Sequence, residues 1–213
     1  MRIGILGTGA LAAALATGWT RAGHDISIGG RSPERAEAAA KASGARSRPL
    51  REVAVGVDAV LLAVHWRGVA DILRAAGAPT GSLAGKPLID PTNAVEHGIG
   101  VPQPESGRAM AHHVAELAPG AHVVKAFHLF PSTRWTTPAS SPVTVAMCGD
   151  DPRALDVVGS LARDVGGVPG VIGGLDRARQ LEEVAGFVIA LAFAGLDAQS
   201  AIPATGTPAP AQP

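Results

Sequence analysis

Gly7, Gly9 and Ala12 form the pattern G-x-G-x-x-A directly after the apolar run Arg2–Leu6. At the junction of a strand and a helix this spacing has a specific chemistry. Gly7 permits a tight turn, Gly9 lets the backbone approach a pyrophosphate, and Ala12 lets helix and strand pack closely. A helix that opens there presents unpaired N–H groups and the positive end of its dipole to phosphate. A second group of residues decides which dinucleotide is suited. An acid about 20 residues beyond the glycines would accept hydrogen bonds from a ribose 2′-hydroxyl. This chain instead reads Gly29-Gly30-Arg31-Ser32, with no acid at the strand end, and Asp25 lies at the strand's start. A guanidinium and a hydroxyl at a helix start suit a 2′-phosphate dianion, and Arg35, one turn later, adds a second charge. The cofactor expected is therefore NADP(H).

Other chemistries find less support. Seven histidines are present, but His112 and His113 are adjacent on a helix and point about 100° apart. His122 and His128 share no spacing with a zinc signature, so no metal site is expected. Cys148 is the one cysteine, which excludes an internal disulfide and reads as a small buried apolar residue. No serine has a nucleophile-elbow context. Asp176, Arg177 and Arg179 read as a solvated helix start. Phe127, Phe130 and Trp135, with Trp66, hold much of the scarce aromatic content, either as core or as an apolar wall for a planar ring.

The elements needed to position the glycine turn are legible in the pattern of apolar residues. Arg2–Leu6 predicts a buried strand, Ala10–Ala22 a helix stopped by Gly23, and Asp25–Ile28 a second strand. Ser32-Pro33-Glu34 predicts a helix start, with serine as cap and proline in the first turn; that helix runs to about Ser43. Val57–Val64 is nearly continuous in apolar residues, as a central parallel strand should be. A helix over Gly68–Ala76, a strand over Lys86–Asp90, a helix over Ser106–Leu117 and a strand over His122–Phe127 follow. Val143–Met147 predicts an additional strand, and Pro152–Val165 and Gly174–Leu196 predict helices. The alternation implies an α/β fold: a Rossmann-type, doubly wound, mostly parallel sheet.

Composition limits the function classes. The 213 residues carry 18 basic and 18 acidic side chains, so no net field gathers nucleic acid or an anionic membrane. Tyrosine is absent and aromatics make up 3%, too few for a base-stacking platform. At 46% hydrophobic and 17% charged, the chain can build a core. Its longest uncharged apolar run, Val184–Leu196, is too short to span a bilayer. The start has no convincing targeting segment, so a cytoplasmic protein acting on a small molecule is expected.

The start MRIGILGTGALAAALATGWTRAGHDISIGGRSPERA, and then in order IDPTNAV (Ile89–Val95), VVKAFHLFP (Val123–Pro131), MCGDDPRA (Met147–Ala154) and GGLDRARQLE (Gly173–Glu182), resemble the NADPH-dependent reductases of the deazaflavin coenzyme F420. The resemblance covers most of residues 1–200 and implies a nucleotide domain with a small C-terminal helical lobe. Hydride would pass between the nicotinamide and a deazaflavin lying over it in the cleft. Carried over by position, Gly7, Thr8, Gly9, Ala10 and Leu11 hold the pyrophosphate, and Arg31, Ser32 and Arg35 hold the 2′-phosphate. Val64, His65 and Trp66 flank the nicotinamide ribose, and Asn93 reaches the nicotinamide side. His128, Leu129, Phe130 and Pro131 face the second substrate.

The resulting division is a nucleotide-binding domain over 1–128, a substrate and dimerisation lobe over 129–202, and a disordered Pro/Ala-rich tail over 203–213. A homodimer is expected because Val184–Leu196 is apolar on every helical face. Two other functions fit the same nucleotide motif. One is reduction of a small imine or activated alkene, with His128 as proton donor and a rate that falls with pH near 6.5. The other is a cofactor-binding sensor or partner protein without chemistry.

Overall fold

The computed structural model describes residues 1–95, 108–136 and 141–203. Its centre is one sheet, built outward from β1 (Arg2–Leu6), which is buried at four of its five positions. β2 (Asp25–Gly29) and β4 (Ala59–Leu62) pair with it in parallel on either side. β3 (Arg46–Ser47), β5 (Pro87–Asp90) and β6 (His122–Lys125) extend the sheet, all parallel. β7 (Val143–Gly149) then pairs antiparallel to β6, and β8 (Gly167–Val171) pairs parallel to β7. The strand order is β3-β2-β1-β4-β5-β6-β7-β8. Helices α1 (Ala10–Arg21), α2 (Pro33–Ser43) and α6 (Pro152–Asp164) accompany α3 (Leu50–Val53), α4 (Val69–Ala75), α5 (Met110–Leu117) and α7 (Ala178–Phe193).

Side-chain alternation splits the core into two layers. Ile3, Ile5, Leu61 and Val124 pack with Leu15 and Trp19 of α1 and Val158 and Leu161 of α6. Leu6, Val60, Leu62 and Val123 pack with Ile72 of α4, Val114 of α5 and Leu181 of α7. Both faces are thus covered, as a parallel sheet requires. Trp19 adds a polar tie between α1 and α6, its indole N–H donating to the Leu161 carbonyl at 2.9 Å.

The structure differs from the sequence expectations in local ways. Two strands and one α-helix have no counterpart there. β3 and α3 are only two and four residues long, and β8 (Gly-Val-Pro-Gly-Val) hides its strand behind two glycines and a proline. The helix expected over Gly174–Leu196 opens as a 3₁₀ turn, Leu175–Arg177, and ends near Gly195, whose φ of 71° is left-handed. The one over Gly68–Ala76 likewise begins with a 3₁₀ turn at Trp66–Gly68. The sheet runs across residue 128, since β7 and β8 continue it. Residues 106–107 of the expected fourth helix and 204–213 of the expected tail lie outside the described residues. Among the described residues, no helix is long and apolar enough to cross a membrane.

β7 meets β6 only through its last residues, Gly149 opposite Val124 and Cys148 opposite Lys125. Lys125 ends β6, so Val143–Met147 run on past the carboxyl end of the sheet with β8 as their partner.

Candidate functional site

The glycine turn has the geometry its chemistry needs. Gly7 has φ 129° and donates its N–H to the Gly29 carbonyl at 2.8 Å. A Cβ there would lie 2.0 Å from the Ala63 carbonyl oxygen, so only glycine fits. Gly9 is the residue before α1, in extended conformation, with no side chain capping the helix. A Cβ at Gly9 would meet nothing within 4 Å; the space beside the helix start is open, as approach of a pyrophosphate requires. Gly30 is a site residue that the nucleotide pattern does not announce. A Cβ on it would fall 2.7 Å from Thr8 Cγ2, so the Gly29-Gly30 doublet lets Thr8 sit between the two loops.

Ser32 caps α2 by accepting from the Arg35 N–H at 3.2 Å, and Pro33 fills the first turn. The Ser32 hydroxyl also donates to Glu34 Oε2 at 2.7 Å. That hydrogen bond holds the Glu34 carboxyl below its usual pKa. An acid therefore occupies the hydroxyl expected to serve a 2′-phosphate.

One cavity of about 930 Å³ collects the carboxyl ends of β1, β2, β4 and β5. It is lined by Gly7, Thr8, Gly9, Ala10 and Leu11, by Arg31, Ser32 and Arg35, by Val64, His65 and Trp66, and by Asn93. Gly30, Ile72, Pro91, Thr92, Val95 and Ile189 complete much of the wall. Ile189 comes from α7, more than 90 residues after Val95, and no local motif marks it. The volume lies in the range of cofactor pockets. The open face of Gly9 and two buried polar atoms without partners, Trp66 Nε1 and Asn93 Oδ1, fit a ligand that offers both phosphate and hydrogen-bonding groups.

His128, Leu129, Phe130 and Pro131 are not in the cavity lining. The His128 ring is buried, 6% exposed, and neither nitrogen has a partner. Burial, and then the neighbouring Lys125 charge, push its pKa down to about 3. It is a neutral imidazole at neutral pH, so the expected rate change near 6.5 has no source in this ring. The residue before it, Phe127, has φ 61°, costly for a bulky side chain, by about 1–3 kcal/mol. Its ring is held edge-on to Trp19 at 6.0 Å and Trp135 at 5.4 Å, and Phe130 also meets Trp135 edge-on at 6.0 Å. The aromatic group is thus core, with Trp19 in the place expected for Trp66. Trp66 instead stands by His65, ring centres 5.7 Å apart, and under the Arg67 guanidinium at 5.0 Å.

Beneath the Pro91–Asn93 segment lies a group of charges that spacing did not reveal. Lys125, fully buried, is 3.1 Å from Asp90 Oδ2 and 2.8 Å from Glu182 Oε1, and it donates to the Thr92 carbonyl. Burial opposes its charge, but the two carboxylates outweigh it and raise its pKa. Asp90 accepts from the Thr92 N–H at 2.9 Å and hydroxyl at 2.6 Å. Glu182 accepts from the N–H groups of Met110 at 2.8 Å and Ala111 at 3.2 Å, at the start of α5. The signal in the sequence was each charge standing alone in an apolar run: the aspartate ending Leu-Ile-Asp and the lysine ending Val-Val-Lys. Cys148 is buried, and burial pushes its thiol up to about 12, so it stays protonated. Among the described residues no three His, Cys, Asp or Glu side chains group to hold a metal.

Comparison with known proteins agrees with this geometry. Residues 2–94 match the family model described as NADP oxidoreductase, coenzyme F420-dependent. The metalloreductase STEAP3 of Rattus norvegicus is 30% identical over 186 residues, 86% of this chain; the chain spans 36% of that relative's length. A chain from Arthrobacter sp. FB24, assigned as an F420-dependent NADP-reductase, superposes with a TM-score of 0.78 at 24% identity, covering 91% of this chain and 95% of its own. A reductive aminase from Aspergillus terreus, in complex with NADPH, superposes with a TM-score of 0.67 at 18% identity, over 91% of this chain and 62% of its own. At these identities the two structures share the fold. Residues 2–94, the stretch that matches this family model, carry the glycine turn, the Arg31-Ser32 pair and the Asn93 segment.

Proposed function

We propose that this chain is an NADP(H)-dependent reductase that exchanges a hydride with the deazaflavin coenzyme F420. The observation that carries the reading is that one cavity joins the open Gly9 turn, the Arg31–Arg35 pair and Asn93. In this reading the start of α1 binds the pyrophosphate, and Arg31, Ser32 and Arg35 bind the 2′-phosphate. Val64, His65, Trp66 and Asn93 hold the nicotinamide end. The nicotinamide, when bound, supplies the hydride; the protein supplies position and excludes water.

Hydride exchange between two rings needs no protein acid in the site, since the deazaflavin can take its proton from solvent. Among the described lining residues the ionisable side chains are Arg31, Arg35 and His65. His128, the proton donor that an imine or alkene acceptor would use, is buried, neutral and off the wall. His128, Leu129, Phe130 and Pro131 then act on the second substrate through the backbone of their turn, which Asn93 grips. The small-molecule reaction is placed in a homodimer. α7 supports this by leaving Val184, Phe187, Phe193 and, just beyond it, Leu196 exposed.

The decisive experiment follows NADPH absorbance with oxidised F420 present and absent. Oxidation that requires F420 supports the reading. NADPH binding with no oxidation by F420 refutes it, and turnover of an imine or activated alkene in its place selects the other reductase.

A further inference from the structure

The Asp90–Lys125–Glu182 group is expensive. Burying three charges costs several kcal/mol per ion before their attraction offsets it, and apolar residues of like volume often serve stability as well. Here the charges are spent on particular backbone groups. Lys125 holds the Thr92 carbonyl, and Asp90 holds the Thr92 N–H and hydroxyl. Thr92 lines the cavity between Pro91 and Asn93. Asn93 in turn donates Nδ2 to the His128 carbonyl at 2.7 Å, which leaves its Oδ1 buried without a partner. On the other side Lys125 holds Glu182 of α7, and Ile189, seven residues on, lies two turns along on the same helical face and lines the cavity.

We propose that Lys125 is a positioning residue for the nicotinamide end of the site. Lys125 fixes the 90–93 segment so that the Asn93 amide oxygen is presented as a hydrogen-bond acceptor to the ligand, and it fixes the height of Ile189 through Glu182. This inference rests on the nucleotide reading above. It gives the segment after β5 a determined conformation from below, where the ligand has no contact. The ammonium joins the loop, the end of β5 and α7, since it touches the Thr92 carbonyl, Asp90 and Glu182.

The test compares two ligands that share one end. Adenosine 2′,5′-bisphosphate occupies only the part of the site at Arg31 and Arg35, whereas NADPH also reaches Asn93. Affinities for both are measured by titration calorimetry in the wild-type protein and in Lys125→Met. Because Lys125→Met strands two buried carboxylates, Lys125→Met with Glu182→Gln is measured as well, and Asn93→Ala serves as a variant that touches no buried charge. The expected result is a loss of roughly tenfold for NADPH in each folded variant, with bisphosphate affinity held within about twofold, the size of one lost hydrogen bond. Parallel loss of both ligands in the double variant, or loss of NADPH in Asn93→Ala but not in the folded Lys125 variants, overturns the proposal and leaves Lys125 a scaffold residue. If neither Lys125 variant folds, the Asn93→Ala measurement decides: unchanged NADPH affinity there removes the acceptor that Lys125 is said to position. Wild-type protein that binds neither ligand instead overturns the nucleotide reading itself.

Discussion

Asn93 and His128 are joined by a 2.7 Å hydrogen bond from the amide Nδ2 to the main-chain carbonyl. The bond ties the turn after β5 to the turn after β6. It engages the histidine through its backbone, made available by the left-handed Phe127 that precedes it. The imidazole contributes nothing to this link. Removing the ring and removing the amide are therefore separate perturbations: His128→Ala should leave NADPH affinity nearly unchanged, whereas Asn93→Ala should weaken it.

His128 should make stability pH-dependent. The folded protein takes up a proton there only near pH 3, while the unfolded chain does so near 6.5. Between these values the unfolded state binds more protons, so stability falls as pH drops below 6.5. The slope is about 1 kcal/mol per pH unit. Urea unfolding at pH 5 and pH 7 should show it in wild type and show it diminished in His128→Leu. Equal slopes in the two proteins would count against a buried neutral ring.

Gly7 and Gly9 should separate folding from binding. Gly7→Ala sets a Cβ against the Ala63 carbonyl at a left-handed φ, and should cost about 2–4 kcal/mol, lowering Tm by ten degrees or so. Gly9→Ala meets no protein atom. Its Tm should stay within about 2 °C while NADPH affinity falls at least about tenfold, because the methyl projects where the pyrophosphate must come. Retained NADPH affinity in Gly9→Ala would falsify the placement of the phosphates.

Arg31→Ala should erase most of the preference for NADPH over NADH, a loss of about 1.5–3 kcal/mol, or roughly ten- to a hundredfold. Glu34→Gln should act oppositely and raise NADPH affinity a few-fold, since it removes a negative charge from the Ser32 hydroxyl that the 2′-phosphate needs. Calorimetric titration of both cofactors into each variant reads the two effects. An unchanged NADPH:NADH ratio in Arg31→Ala would transfer the 2′-phosphate to another part of the surface.

The exposed side of α7 should be a subunit contact. Phe187 is 49% exposed on it. Light scattering at micromolar concentration should give twice the 21.4 kDa chain mass, and Phe187→Arg should return it to the single value. A monomer in wild type would leave that face without its proposed partner.

The strand-turn-helix around Gly7, the capped start of α2 and the central apolar strands were legible because each is written within a dozen residues. Periodicity, cap and turn residues speak locally. Ile189 and the Lys125 group were not, because their meaning depends on elements that meet only after folding. Lys125 and Glu182 are 57 positions apart and reveal a bond only when β6 and α7 are stacked. The β8 strand was missed for a different reason. Gly167, Pro169 and Gly170 are poor strand formers, and only pairing with the long β7 holds them extended.

That same Pro169 bears on how the molecule avoids its own copies. β8 is the last strand of the sheet, and Val168, Val171 and Ile172 nearby are exposed, a combination that invites strand-on-strand fibril growth. The Ile172 N–H points inward to Met147. By alternation, residue 169 would point its N–H outward, and proline has none to give. A chain approaching this edge finds a donor missing in the middle of the ladder, while the opposite edge, β3, offers only two residues to copy. Both margins are thus poor templates, and Pro169→Val would restore the missing donor and make this edge more prone to pairing.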